Sequence, residues 1–262
     1  RAITEAINNL NTGEILLVAG KGHETIQEIG VKKIIFSDKK VILNAIKIKN
    51  LSLSNDLKFN ILKEISERKK LSSRITLKKA QINSKEIKKG DIFFAIKGKK
   101  NDGNKFISEA FNKKASIVIV NKISKKNNIK HQIKVRDSLK FLTQSSKVYR
   151  KNINTKIIAI TGSCGKTTLK ELLGNSLKKL SKTSTSPKSY NNKYGVPLSL
   201  FNLNQKDDYG VLEIGMDKKG EIDYLSKIVQ PDVSVITNIN YAHAKNFKNL
   251  KQIALAKSEI IH

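Results

Sequence analysis

Thr161-Gly162-Ser163-Cys164-Gly165-Lys166-Thr167-Thr168 is the stretch from which the fold of this chain can be read. Ahead of it, Lys156-Ile157-Ile158-Ala159-Ile160 is a short β-branched run of the kind that makes a buried parallel strand. Behind it, Leu169, Leu172, Leu173, Leu177 and Leu180 recur at helical spacing, which predicts a helix opening near Lys166. Strand, glycine turn, then Lys-Thr opening a helix is the context in which a phosphate-binding loop functions. Glycines let the backbone curl so that N–H groups point inward, and the helix N-terminus adds partial positive charge there. On this reading Gly162, Ser163, Cys164, Gly165, Lys166, Thr167 and Thr168 form a nucleotide cradle. Lys166 reaches the β/γ-phosphates and the Thr167 hydroxyl sits on Mg2+. The usual loop has four residues between its glycine and the Gly-Lys pair, whereas only Ser163 and Cys164 intervene here. The competing reading is an ordinary strand-to-helix turn with a chance lysine.

At 262 residues the chain is longer than a typical single domain, so more than one unit is expected. A net charge of +29 raises nucleic-acid binding, but 46 of the 51 basic residues are lysine, spread over almost every segment. Arginine, the better bidentate reader of phosphate and base, is scarce, and no aromatic-interleaved basic patch occurs. Most of the lysines therefore read as solvated surface, and nucleic acid is not the expected partner. Cys164 is the single cysteine, which excludes an intramolecular disulfide and fits a reducing compartment. No apolar run reaches bilayer length and no signal-peptide pattern opens the chain, so a cytoplasmic protein without membrane insertion is expected. The chain opens on Arg1 rather than Met and closes inside a helical pattern, Leu250 to His262, as a window from something longer would.

Taken in order, residues 1–48 read as a fragment of an α/β domain. A short helix (Ile3, Ala6, Ile7, Leu10) precedes a buried strand, Glu14 to Ala19. A glycine turn, Gly20-Lys21-Gly22-His23-Glu24, comes next, then a hairpin edge over Lys33–Phe36 and a helix over Asp38–Ile48. For His23 and Glu24 plain turn chemistry is the alternative to function. Residues 49–74 are polar, with Leu57, Ile61, Leu62 and Ile65 in a weak helical stripe, and read as a linker or lead-in helix. Residues 75–150 alternate strand and helix signals, Asp91–Ile96 and Ser116–Val120 being the strands, and describe a small α/β domain.

Residues 151–262 form the phosphate-loop domain, α/β with a mostly parallel sheet. Gly210–Met216 reads as a strand with Glu213 near its carboxyl end, and Asp232–Asn238 as another, with His243 shortly after it. Ligand groups gather at the carboxyl ends of strands in open parallel sheets. The loop, Glu213, Asn238 and His243 all fall there, which argues for a Mg-nucleotide site with a carboxylate and an imidazole beside the metal. A salt-bridged strand end (Glu213) and a satisfied loop histidine (His243) are the alternatives.

At this point the residues resemble the Mur ligases, ATP-dependent amide ligases that build the peptide of bacterial peptidoglycan. The resemblance is carried by TGSCGKTT, SYNNKYGVPLSL (189–200), EIGMDKKGEI (213–222), ITNINYAH (236–243) and AKSEI (256–260). It is strongest to the members that add D-Ala-D-Ala to UDP-MurNAc-tripeptide. Ile82 to Ile107 is similar to the family's UDP-sugar-binding domain, with Asn83-Ser84-Lys85 where the family usually has Asp-Ser-Arg, so Ser84 is implied as a substrate contact. LLVAGKGHETIQEIG near the N-terminus is similar to the C-terminal end of the member that adds the third amino acid, where Gly20 and Glu24 would touch that substrate.

The resemblance implies attack of a substrate carboxylate on the γ-phosphate of ATP, then displacement of phosphate from the acyl phosphate by an amine. It implies Thr167, Glu213 and His243 around magnesium, with Asn192 and Asn238 lining the site. Lys257 matches a lysine that is carbamylated in several members, against the alternative of a surface helix lysine. Cys164 stands where relatives often have Asn or Ser. The family's C-terminal domain closes over the nucleotide, so little turnover is expected of these 262 residues alone. A folylpolyglutamate-type ligase is disfavoured by the Asn-Asn…Gly-Val-Pro-Leu stretch. A basic nucleotide-regulated module contacting nucleic acid is the alternative from another class.

Overall fold

The computed structural model describes residues 2–10, 14–19, 26–30, 32–66, 77–98, 101–241 and 246–261. By its contacts the chain divides into two units, Arg1–Asp56 and Leu57–His262.

In the first unit, helix α1 (Ala2–Asn9) precedes an antiparallel hairpin of β1 (Ile26–Ile29) and β2 (Lys32–Ile35), with Ile26 opposite Ile35. Helix α2 (Asp38–Ile65) begins here, and Ile7 and Ala45 are buried. The strand expected over Glu14 to Ala19 is not formed. Those residues have no regular structure, and Ile15 and Leu17 are 95% and 86% exposed. A strand needs a neighbour to take its backbone hydrogen bonds, and the described strands of this unit, β1 and β2, pair with each other. Of the linker or lead-in helix expected over 49–74, the helix is formed as far as Ile65, and within the second unit Phe59, Ile61 and Leu62 of α2 are buried.

The second unit holds two four-stranded sheets, both fully parallel. The first contains β3 (Ala80–Gln81), β4 (Ile92–Phe94), β5 (Ile117–Val120) and β6 (Gln132–Lys134) in that spatial order, with helix α3 (Ile107–Asn112) between β4 and β5. Gly103 abuts the end of β4, where a Cβ would lie 2.7 Å from the Ile96 nitrogen. Helix α4 (Ser138–Lys151) comes after β6, its first turn capped by the Asp137 carboxylate, which accepts from the Leu139 and Lys140 amides.

The second sheet is built from β7 (Lys156–Thr161), β8 (Thr183–Thr185), β9 (Tyr209–Glu213) and β10 (Val233–Ile236). Helices α5 (Lys166–Lys178), α6 (Gly195–Phe201), α7 (Glu221–Val229) and α8 (Leu250–Ser258) alternate with these strands. The spatial order is β10-β7-β9-β8, so the connection leaving β7 runs to one side, toward β8, and the one leaving β9 runs to the other, past β7 to β10. The crevice beyond the carboxyl ends of β7, β9 and β10 is thus the switch point where such sheets take ligands. Register places Ile160 beside Glu213 and Thr161 beside Ile236, which brings the phosphate-loop motif, the carboxylate and the β10 exit to one edge.

A continuous core joins the two sheets. Phe94 meets Phe201 edge-on at 6.2 Å and Tyr149 packs on Phe201 at 5.4 Å, with α4 and α6 supplying Tyr149 and Phe201. On α5, Leu169, Leu173 and Leu177 pack on Ile158, Ile160 and Val211, whereas Leu172, and Leu180 just past the helix end, face solvent. The helical stripe is therefore narrower than the leucine spacing suggests. Among the described residues no helix is long and apolar enough to cross a membrane.

Candidate functional site

Two glycines shape the turn between β7 and α5. Gly162 has φ +150° and a Cβ there would fall 1.9 Å from Thr237 Oγ1, while Gly165 has φ +78° at the helix N-cap. Both conditions exclude side chains. Gly165 offers no capping side chain, so the first-turn amides of α5 have neither an intrahelical acceptor nor a side-chain cap. The Lys166 ammonium bends back to donate to the Gly162 and Ser163 carbonyls at 2.8 and 3.3 Å.

The loop amides are not all directed inward. Ser163 N donates to the Asn238 carbonyl at 3.1 Å and Cys164 N to Asn238 Oδ1 at 3.0 Å. Thr237 Oγ1 donates to the Cys164 carbonyl at 2.6 Å, and Ser163 Oγ donates to the Asn240 carbonyl at 2.8 Å. Asn238 is therefore the scaffold behind the loop, and the open donors narrow to the first turn of α5. Cys164 and Thr168 are exposed.

Glu213 is 1% exposed, and its carboxylate is held by two neutral donors. Thr167 Oγ1 donates to Oε2 at 2.7 Å and Asn191 Nδ2 to Oε1 at 2.7 Å. None of the ion pairs among the described residues includes Glu213, so the alternative of a salt-bridged strand end does not hold. A buried carboxylate with neutral partners, one of them a hydroxyl, suits a small cation that takes oxygen ligands.

A cavity of about 510 Å³ opens in front of these groups, lined by Gly162, Lys166, Asn191, Met216, Tyr224 and Lys257 among others. Lys257 is buried rather than a surface helix lysine. Burial, then the nearby Lys166 charge, brings its ammonium down to about 8, with Cys164 opposing. Asn192 also lines the cavity, but its Oδ1 accepts from the Tyr194 and Gly195 amides, opening α6. Its neighbour Asn191, which the sequence pattern did not single out, is the residue that reaches Glu213. Neighbouring asparagines carry no signal to tell them apart; only the register of the turn does.

Ser84 lies in the first sheet's domain, outside this cavity. Its hydroxyl donates to Glu109 Oε2 at 2.8 Å, and that bond, with Lys113, holds the Glu109 carboxyl below its ordinary range. His243, Gly20 and Glu24 lie outside the described residues.

Two family models match the chain. One, described as the Mur ligase middle domain, covers residues 160–262, and the other, described as the Mur ligase family, catalytic domain, covers residues 76–161. Residues 1–48 lie outside both. Among curated proteins, the chain is similar to the UDP-N-acetylmuramoyl-tripeptide–D-alanyl-D-alanine ligase of Buchnera aphidicola subsp. Acyrthosiphon pisum. They are 41% identical over 182 residues, 68% of this chain and 39% of that one. The ligase of the same name from Rickettsia prowazekii is 37% identical over 190 residues, 72% of this chain and 42% of its own.

Among solved structures, MurF from Acinetobacter baumannii superposes with a TM-score of 0.67 at 35% identity, over 77% of this chain and 44% of that one. MurF ligase from Thermotoga maritima in complex with ADP superposes with a TM-score of 0.61 at 34% identity, over 72% and 44%. The chain spans about two-fifths of the length of these curated relatives.

Proposed function

The chain belongs to the Mur ligase family through residues 76–262, and on that premise we propose that it acts as an ATP-dependent amide ligase of peptidoglycan-precursor synthesis. Its acid substrate is UDP-MurNAc-tripeptide and its amine is D-Ala-D-Ala, the pair named by the relatives it resembles. Residues 75–150 would take the UDP-sugar and residues 151–262 the ATP, in the cytoplasm.

The observation that carries this reading is the meeting of Lys166, Asn191 and Lys257 at one cavity, with Asn191 bonded to the buried Glu213 carboxylate that Thr167 also holds. Lys166 and the first-turn amides of α5 would hold the ATP phosphates, displacing the lysine from the loop carbonyls it now meets. Thr167 and Glu213, with His243, would hold Mg2+, which when bound neutralises charge on the phosphate oxygens.

The substrate carboxylate attacks the γ-phosphorus and ADP leaves; the amine then attacks the acyl carbon and phosphate leaves. The protein's part in both steps is positioning and charge neutralisation. Lys257, with its pKa near 8, supplies a neutral amine fraction for the carbamylation that the resemblance implies. Ser84, whose hydrogen is given to Glu109, would accept from the UDP-sugar rather than donate to it.

The test is phosphate release from ATP by the protein at its full natural length, with UDP-MurNAc-tripeptide and with or without D-Ala-D-Ala. Release should require both substrates and disappear in Lys166→Ala. Release indifferent to the dipeptide would remove the assignment.

A further inference from the structure

The fully buried ammonium of Lys170 has no part in the proposed ligase chemistry. It lies on α5 one turn beyond Thr167, donates to the Lys188 carbonyl and pairs with the Glu171 carboxylate at 3.2 Å. Lys188 has φ +50°, the left-handed region that residues with a Cβ avoid unless their surroundings impose it. The turn it opens is tight: Tyr190 N donates to the Pro187 carbonyl at 3.2 Å and Asn191 N to the Ser189 carbonyl at 2.8 Å.

That turn delivers Asn191 to the carboxylate. The Asn191 side chain donates to Glu213 Oε1, and its carbonyl accepts from Gly215 N at 2.7 Å. Gly215 closes the other side, since a Cβ there would come within 2.9 Å of Asn191 Cγ. Helix α5 therefore reaches both oxygens of Glu213. It touches one directly through Thr167 and the other through Lys170, the Lys188 turn and Asn191.

We propose that Lys170 is a positioning residue: its buried ammonium imposes the left-handed turn at Lys188 and so holds Asn191 against Glu213. The purpose assigned to Glu213 rests on the ligase reading, but the mechanical link does not. A lysine that merely filled the core would satisfy its own hydrogen bonds without governing Asn191.

Amide hydrogen exchange at Gly215, read by NMR, tests the link without any ligand. Lys170→Met should speed that exchange by about tenfold or more. The double variant K170M/K188G should return it to the wild-type range, because glycine adopts positive φ without the imposed contact. The Lys188–Glu86 pair lost with Lys188 is exposed, and Glu86→Gln controls for it.

The second readout is the magnesium dependence of ADP binding. Affinity of the wild type should rise with magnesium, Lys170→Met should lose most of that rise while keeping its magnesium-free affinity, and K170M/K188G should regain it. Unchanged Gly215 exchange in Lys170→Met overturns the proposal, as does a double variant that exchanges like the single one. If Lys170→Met alone fails to fold, a folded double variant with wild-type protection at Gly215 supports the proposal and an unfolded one overturns it. ADP binding indifferent to magnesium in the wild type would instead remove the ligase reading and leave the exchange result standing.

Discussion

Among the described residues three lysines, Lys58, Lys170 and Lys257, are buried in a protein whose composition advertises lysine as surface. Each is buried for a local reason. Lys257 faces the cavity, Lys170 holds a turn, and Lys58 donates to the Lys78 carbonyl at 3.0 Å with its ammonium 5.4 Å from the Phe201 ring centre and 5.7 Å from that of Tyr149. Burial, with Lys79 nearby, brings Lys58 down to about 8 against a weaker opposing pull from Asp91. Below that pH both folded and unfolded chains hold the proton and Lys58 gives no pH dependence. Between about 8 and the ordinary value of 10.5 the unfolded chain binds more protons, so stability contributed here rises with pH. Urea midpoints measured at pH 7.5, 9 and 10 should therefore climb less in Lys58→Met than in the wild type. Parallel slopes would show that the ammonium is not desolvated in the folded state.

At the scale of elements, the phosphate loop is held by the Thr237–Asn240 segment at the exit of β10 as much as by its own residues. Gly162→Ala would drive a methyl into Thr237 and force a positive φ on alanine, costing more than about 2 kcal/mol, read as a lowered denaturation midpoint. The base of the same sheet is tied by one guanidinium at the end of α4. Arg150 donates to the Val229, Gln230 and Thr155 carbonyls and pairs with Asp232 at 2.9 Å, and Asp232 in turn accepts from Ile157 N at 2.7 Å. Lysine is a point donor without the planar fork, so Arg150→Lys should cost about 2–3 kcal/mol by chemical denaturation. A loss under about 0.5 kcal/mol would mean that solvent replaces those bonds.

At the scale of the molecule, the second unit is held by an apolar cluster that both parallel sheets share, with Phe201 between Phe94 and Tyr149. Phe201→Ala should cost about 3–5 kcal/mol. It should lower one cooperative transition, tracked identically by far-ultraviolet circular dichroism and tyrosine fluorescence. Two separated transitions would show that the sheets fold independently despite the common core.

Much of this architecture was legible in residue order alone. Local patterns are enough for a parallel strand such as Ile157 to Ile160, a helix opening at Lys166, and a carboxylate at the end of β9, because strand period, glycine and helix start are set by near neighbours in sequence. The same local rules misread Glu14 to Ala19, where no described strand lies beside the apolar run, and they drew the α5 stripe too wide. Sequence by itself determined the two-glycine turn, the parallel α/β class and the grouping of Lys166, Thr167 and Glu213 at one sheet edge. Only the tertiary structure decided that Asn191 rather than Asn192 meets Glu213, that Asn238 backs the loop, and that Lys170 and Lys257 are buried. Those outcomes depend on how segments distant in the chain close around one another, and a charged side chain is sequestered only where such closure supplies its partners.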